Sequence, residues 1–233
     1  AIYDKKKLNE NEIKKIISEM REGKIDGINV TVPFKRLIIP FLDQLTLEAN
    51  NTQSVNTIYK KDEKIIGHNT DAAGFELALK YINYDIKNKR ALILGAGGVV
   101  PSLVLSLEKM KASKITLSNR TREKAENIKK IFTNIEIIDW GKIIDFDIII
   151  NATSLGLDSD DEIKLDYDRV GSNKLFYDVI YNPKQTKFLS KAKEFDNKIE
   201  NGKMMFIYQA HQAFVVWHKI LPKINEETIK FLN

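Results

Sequence analysis

The chain has 233 residues, 43% hydrophobic and 30% charged. That is enough for one large or two small domains with a buried core, and it argues against disorder and against a fibrous protein. Lysine and arginine total 37 against 32 acidic residues, a net charge of +5, with no cysteine and three histidines. Disulfides and thiolate metal sites are therefore excluded, and His68, His211 and His218 are too scattered for zinc, so no metal is expected and all three are read as structural. No apolar run approaches the ~20 residues of a membrane-spanning helix. The basic residues are mixed with acids, as in Glu123-Lys124-Ala125-Glu126, which favours solvated faces over a nucleic-acid surface, while a modest positive field suits a phosphorylated small molecule.

The opening Ala1-Ile2-Tyr3-Asp4-Lys5 lacks the basic-then-apolar plan of a signal peptide, and it begins with Ala rather than Met, as a processed or truncated product does. Asn9 and Glu12 have capping-box spacing, and Ile13, Ile16, Ile17 and Met20 then share one helical face, with Gly23 as the stop. Gly27 to Val32 reads as a strand, Pro33 as the first position of another helix, and Pro40 as its limit. Ser54 to Tyr59 and Lys64 to His68 read as strands around a polar turn, and Asn69-Thr70-Asp71 has the chemistry to cap a helix running through Ile82.

After a polar gap at Asp85 to Lys89 the pattern changes. Strand-like runs recur at Arg90 to Leu94, Ile115 to Ser118, Ile135 to Asp139, Phe146 to Ala152 and Leu175 to Tyr181, with helical stretches such as Arg122 to Phe132 between them. This alternation predicts an α/β fold built on a parallel sheet. A short strand near Lys198 to Glu200 precedes a long, largely apolar helix from Met204 to Leu221. The composition divides the chain into a unit before about Asp85 and an α/β unit from about Arg90 to Asn201.

Gly95-Ala96-Gly97-Gly98-Val99 follows a strand and opens a helix. A pyrophosphate must approach backbone N–H groups closely there, and the helix N-terminus favours an anion. The G-x-G-x-x-G match is imperfect, since Val100 takes the third glycine position, and glycine turns also serve as plain connectors. The strand-turn-helix context favours a dinucleotide. The next strand ends in Ser118-Asn119-Arg120-Thr121-Arg122, with two guanidinium groups and no carboxylate. A planar cationic fork suits the 2′-phosphate of NADP better than the free ribose hydroxyl of NAD. The plainer alternative is that Arg120 and Arg122 decorate the following helix.

Three further peptides are unusually polar: Asn29-Val30-Thr31-Val32-Pro33-Phe34-Lys35, Ser54-Val55-Asn56-Thr57, and Gly67-His68-Asn69-Thr70-Asp71-Ala72-Ala73-Gly74. With the glycine loop, Asn119-Arg120-Thr121, Asn151-Ala152-Thr153-Ser154, Tyr177-Asp178-Val179-Ile180-Tyr181 and Gly202 through Gln209-Ala210, they closely resemble the shikimate dehydrogenase family over essentially the whole chain.

The resemblance implies a Rossmann-like NADP-binding domain at 86–203. A smaller α/β substrate-binding domain, residues 1–85, is completed by the C-terminal helix at 204–233. It implies reversible reduction of 3-dehydroshikimate to shikimate by NADPH, in the route to chorismate and the aromatic amino acids, in a cytoplasmic enzyme with small-molecule ligands, no nucleic-acid or membrane partner, and a homodimer as an allowed assembly. Lys35 matches the family's catalytic lysine and Asp71 its partner carboxylate, which also binds substrate. Thr31, Asn56, Tyr181 and Gln209 match substrate-binding positions; neutral amides and hydroxyls suit a polyol because each can donate or accept. Gly95, Ala96, Gly97, Gly98, Val99, Asn119, Arg120, Thr121, Arg122, Val179 and Gly202 match the cofactor site. The family's early Ser-x-Ser peptide, which grips the substrate carboxylate, has no counterpart in these 233 residues. The rival readings are a quinate/shikimate dehydrogenase using NAD and a catalytically impaired NADP-binding regulatory homologue.

Overall fold

The structure is a computed structural model that describes residues 1–158 and 160–231. The first turn, Glu10–Glu12, is a 3-10 turn in which the Glu12 carboxylate accepts from the Asn9 backbone N–H at 2.8 Å. It leads into α1 (Ile13–Arg21), which buries Ile13, Ile16, Ile17 and Met20 as the spacing predicts. Gly23 follows with φ +76°, a conformation that favours glycine.

Strand β1 (Gly27–Asn29) is shorter than the predicted run to Val32. The Val30 N–H turns to the Asn56 carbonyl and the Thr31 carbonyl accepts from Phe34, so the chain leaves the ladder. Pro33 stands at the N-cap of the single-turn helix α2 (Phe34–Leu37), one position earlier than predicted, and Pro40 lies in the 3-10 turn Ile39–Phe41 that follows. Next come β2 (Gln44–Leu45), α3 (Leu47–Thr52), β3 (Thr57–Lys61) and β4 (Lys64–His68). Strands β3 and β4 form the expected hairpin, in a sheet ordered β1-β3-β4-β2. The predicted strand start at Ser54 moves to Thr57, because Val55 donates to the Lys35 carbonyl rather than to a strand.

Helix α4 (Asp71–Tyr81) then leads to alternating strands and helices: β5 (Arg90–Leu94), α5 (Val100–Lys109), β6 (Lys114–Ser118), α6 (Arg122–Lys129), β7 (Glu136–Ile138), β8 (Ile148–Asn151), α7 (Tyr167–Val170), β9 (Leu175–Asp178), α8 (Lys187–Glu194) and β10 (Lys198–Glu200). The chain closes with α9 (Lys203–His218) and α10 (Glu226–Lys230). Helix α9 stops before the predicted Leu221, since Lys219 adopts a left-handed conformation at its C-cap. The six strands from β5 onward pair in parallel, in the order β10-β9-β8-β5-β6-β7.

That order reverses direction between β5 and β8. A crevice opens at such a switch point beyond the carboxyl ends of the strands. The register puts Ser118, Leu94, Asn151 and Asp178 in one row at that edge. The loops beginning at Asn119, Gly95, Ala152 and Val179 therefore all leave from one rim.

Helices α4 and α9 pack closely. A Cβ added at Gly74 would lie 2.9 Å from the Met205 carbonyl oxygen and from the Gln209 Cβ, so glycine permits the approach. Phe75 and Leu79 from α4 and Met204, Met205 and Ile207 from α9 join one apolar cluster with Ile93, Leu103, Ile150 and Tyr177 of the parallel-sheet layer. Full burial of each large apolar side chain contributes about 1.5–3 kcal/mol. At its other end α9 reaches the four-stranded sheet, where Trp217 Nε1 donates to the Ile58 carbonyl at 2.9 Å.

Candidate active site

Lys35 and Asp71 are 36 positions apart, yet Lys35 Nζ stands 2.5 Å from Asp71 Oδ2. Their side chains are 13% and 8% exposed, so the pair is largely shielded and still reachable. Lys35 comes from α2 and Asp71 is the first residue of α4. The other oxygen of Asp71 accepts from Asn56 Nδ2 at 2.9 Å. The same Asn56 amide donates to Thr70 Oγ1 at 2.9 Å and reaches Gln209 Oε1 at 3.4 Å, while Asn56 Oδ1 accepts from the Thr70 N–H at 2.8 Å. Asn56, Thr57, Thr70 and Asp71 are all buried. Buried polar groups persist when they are hydrogen-bonded, and this network holds the orientation of the Asp71 carboxylate.

The glycine turn lies beside that pair. A Cβ built on Gly98 would be 3.8 Å from the Lys35 Cδ. Gly95 has φ +111°, and a Cβ there would fall 2.7 Å from the Ala152 carbonyl oxygen, so the turn requires glycine at this position. At Gly97 and Gly98 a Cβ would meet nothing closer than 3.8 Å, leaving room for a ligand against the backbone. The turn leads into α5, ten residues long, with Pro101 in its first turn where no N–H is needed. Val100, at the third glycine position of the motif, is fully buried in the main core, and Ala96 and Val99 pack against the same cluster. Open backbone at a ten-residue helix N-terminus fits the pyrophosphate of a dinucleotide.

The two arginines differ. Arg122 bonds Asp139 at 3.0 Å and stands 3.4 Å from Glu126. Arg120 is exposed, and no described residue hydrogen-bonds or ion-pairs with it. Of the two forks, Arg120 is the one without a described protein partner, while Arg122 keeps an exposed pair. Asn119 Nδ2 donates to the Thr121 carbonyl at 2.7 Å, shaping the turn before α6, and Thr121 stands at the N-cap of that helix.

Tyr181 is half-buried and stacks on Phe206 with ring centroids 4.6 Å apart. Gln209 Nε2 donates to the Phe206 carbonyl, and its Oε1 faces Asn56. Thr31 is exposed just before α2. A Cβ on Gly202 would lie 1.9 Å from the Val179 carbonyl oxygen, so these two cofactor candidates are in backbone contact. The histidines stand apart: His68 Nδ1 bonds Thr46 Oγ1, His211 Nε2 bonds the Pro222 carbonyl, and His218 packs on Phe214.

Sequence reasoning assigned no role to several residues that build this site. Ser54 Oγ donates to the Gly98 carbonyl at 3.2 Å, and Ser102 Oγ to Asn69 Oδ1 at 3.1 Å, bonding the glycine turn and α5 to the peptides around the lysine–carboxylate pair. Ser102 carried a readable signal, a polar residue on the buried face of an apolar helix. Ser54 carried none beyond its place next to Val55-Asn56.

Comparison with known proteins identifies the family and the fold. Residues 1–58 match the family model described as shikimate dehydrogenase substrate binding domain, and residues 76–162 match the model described as shikimate / quinate 5-dehydrogenase. The shikimate dehydrogenase (NADP(+)) of Pelagibacter ubique strain HTCC1062 is 56% identical over 233 residues, covering 100% of this chain and 88% of that protein. The crystal structure of shikimate dehydrogenase from Aquifex aeolicus superposes with a TM-score of 0.87 at 35% identity, covering 97% of this chain and 83% of the other. Shikimate 5-dehydrogenase from Thermus thermophilus, in complex with NADP(H) and shikimate, superposes with a TM-score of 0.87 at 28% identity, covering 97% and 86%. The chain belongs to the shikimate dehydrogenase family.

Proposed function

We propose that this chain catalyses the reversible NADPH-dependent reduction of 3-dehydroshikimate to shikimate. The observation that carries the reading is the shielded Lys35–Asp71 pair, 2.5 Å apart, beside the glycine turn. NADPH, when bound, supplies the hydride to the carbonyl carbon. The protein must then deliver one proton to the carbonyl oxygen, or remove it in the reverse direction. Lys35 Nζ and Asp71 Oδ2 share a hydrogen bond and form the proton-handling unit. Asn56 holds the second Asp71 oxygen, so the carboxylate keeps one orientation while its partner oxygen works. Gln209, Thr31 and Tyr181 bind the ring hydroxyls. Gly95 to Val99 hold the pyrophosphate, Arg120 the 2′-phosphate within the Asn119–Arg122 turn, and Val179 and Gly202 flank the nicotinamide.

The unpaired Arg120 favours NADP over NAD, and the retained Lys35–Asp71 pair supports an active enzyme over a silent binding module. The division into 1–85 with 204–233 and 86–203, a homodimeric assembly and a cytoplasmic location complete the proposal. Helix α9 links the two parts: it starts beside Val179 and ends against β3. Among the described residues, no helix is long and apolar enough to cross a membrane.

The test is formation of NADPH or NADH, followed by absorbance, with shikimate or quinate and with NADP or NAD respectively. Shikimate with NADP is expected to be turned over fastest. Lys35→Ala and Asp71→Asn should each lose about 10²-fold or more in kcat, the usual contribution of a positioned acid–base group. Full turnover by a folded Lys35→Ala variant would refute the assignment.

A further inference from the structure

Asp178, the last residue of β9, is fully buried, and no described lysine or arginine pairs with it. A buried carboxylate without a cation is costly unless several donors satisfy it. Three do. Asp178 Oδ1 accepts from Asn151 Nδ2 and from the Ile180 N–H, both at 3.0 Å, and Oδ2 accepts from Thr186 Oγ1 at 2.6 Å. Each donor belongs to a different piece of chain. Asn151 ends β8, and its side chain also holds the next loop: Nδ2 donates to the Leu155 carbonyl, and Oδ1 accepts from the Thr153 N–H and hydroxyl. Ile180 lies in the loop after β9, and Thr186 caps α8.

The loops joined this way are the ones on which the glycines rest. Gly95 sits against the Ala152 carbonyl and Gly202 against the Val179 carbonyl, with would-be Cβ distances of 2.7 and 1.9 Å. A shift of either loop therefore moves the glycine turn or the start of α9.

We propose that Asp178 is a positioning residue: its carboxylate braces the loops after β8 and β9 so that the glycine turn and Gly202 hold the nicotinamide end of the dinucleotide in register with Lys35 and Asp71. This rests on the cofactor reading given above for Val179 and Gly202. The brace acts through hydrogen-bond geometry. Asparagine keeps one oxygen for Asn151 and Ile180 and turns its amide toward Thr186, whereas alanine releases all three donors.

The experiment compares wild type, Asp178→Ala, Asp178→Asn and Thr186→Val. It measures KM for NADP and for shikimate, kcat, and NADPH affinity by fluorescence, on protein shown folded by circular dichroism. Asp178→Ala should raise the KM for NADP and lower kcat by about tenfold or more, as small misplacements at a reacting site do, with the KM for shikimate within about twofold. Asp178→Asn should restore most of both. Unchanged NADP kinetics in folded Asp178→Ala, or an Asp178→Asn variant equally damaged, would overturn the brace. If Asp178→Ala fails to fold, Thr186→Val carries the test: it removes the bond to Asp178 together with the cap on the Leu189 N–H, and a rise of about threefold in the KM for NADP is expected from the bond lost at Asp178, no change overturning the proposal. A wild type that binds NADPH but turns over no shikimate refutes the proposed reaction, and the brace is then judged on NADPH affinity across the same variants.

Discussion

Removing Arg120 separates the two arginines that open the NADP question. The Arg122 guanidinium is already engaged with Asp139 at 3.0 Å and Glu126 at 3.4 Å, while Arg120 has no described partner. A charge-assisted hydrogen bond is worth about 1.5–3 kcal/mol, which converts to a loss of about 10- to 150-fold. Arg120→Ala should therefore raise the KM for NADP by that factor and leave the KM for NAD within about twofold. Arg122→Ala removes an exposed ion pair, with Arg122 60% and Asp139 82% exposed, worth at most about 1 kcal/mol of stability. Its effect on NADP should be smaller than that of Arg120→Ala, since any contact it made to the cofactor would replace ones it already makes to Asp139 and Glu126. The assay is steady-state oxidation of saturating shikimate with either cofactor varied, at two ionic strengths. Raising salt should weaken NADP for wild type more than for Arg120→Ala, because an exposed phosphate contact is screened. A larger NADP loss in Arg122→Ala, or equal losses of NADP and NAD in Arg120→Ala, would refute the reasoning.

Gly202→Ala places a Cβ 1.9 Å from the Val179 carbonyl oxygen, a backbone atom that cannot swing away. Loop and helix must separate, and kcat/KM for NADP should fall by about 10²-fold, the scale of a 1 Å misplacement, checked by steady-state kinetics. Asn56→Ala strips hydrogen bonds from the Thr70 N–H and from Asp71 Oδ1, both on buried residues. Leaving two such groups unpaired costs about 2–6 kcal/mol, which urea unfolding should show, with a raised KM for shikimate. Burial pushes the Asp178 carboxyl from the ordinary 3.8 up to about 6, against the donors Thr186, Ile180 and Asn151. Its proton is thus held more tightly in the folded state, so this contribution is present below about pH 4 and is lost as pH rises through about 6. The loss is about 3 kcal/mol, and Asp178→Asn, which cannot titrate, should gain about that much stability relative to wild type between pH 4 and pH 8 in denaturant titrations. The facing phenols of Tyr167 and Tyr177 are raised by burial, away from this window.

Local patterns carried most of the parallel-sheet unit. Arg90 to Leu94 is a short apolar run stopped by glycine, and it forms β5 with those bounds. Ile13, Ile16, Ile17 and Met20 repeat at helical spacing because one face is buried, and that face is read directly. Short elements left no comparable trace. The two-residue β2 has no period to detect, and α8 hides Phe188, Leu189 and Ala192 among four charged residues. Strand ends shifted for a physical reason: at Val30 and Val55 the backbone N–H groups turn away to Asn56 and Lys35, partners far along the chain. The two arginines after β6 look alike in sequence, and only the fold brings Asp139 to Arg122. Nor does sequence show that the carboxylate of Asp178 is buried without a cation, since that depends on the end of β8 meeting the connection from β9 to α8.

The site gains its coherence from three consecutive residues. Ser54 Oγ donates to the Gly98 carbonyl of the glycine turn, Val55 donates its N–H to the carbonyl of Lys35, and Asn56 donates its amide to the carboxylate of Asp71. The Ser54 carbonyl in turn accepts from Asn69, two residues before Asp71. One short peptide thus touches the glycine turn, the backbone of Lys35 and the carboxylate of Asp71, which come from segments up to 63 positions apart (Lys35 to Gly98). A proton donor and a hydride donor must face the same carbonyl within a few tenths of an ångström to act together. Side chains on separate flexible loops would hold that register poorly. Hydrogen bonds from one short segment, one from its backbone and two from its side chains, hold it at little entropic cost, because fixing that segment fixes all three partners at once.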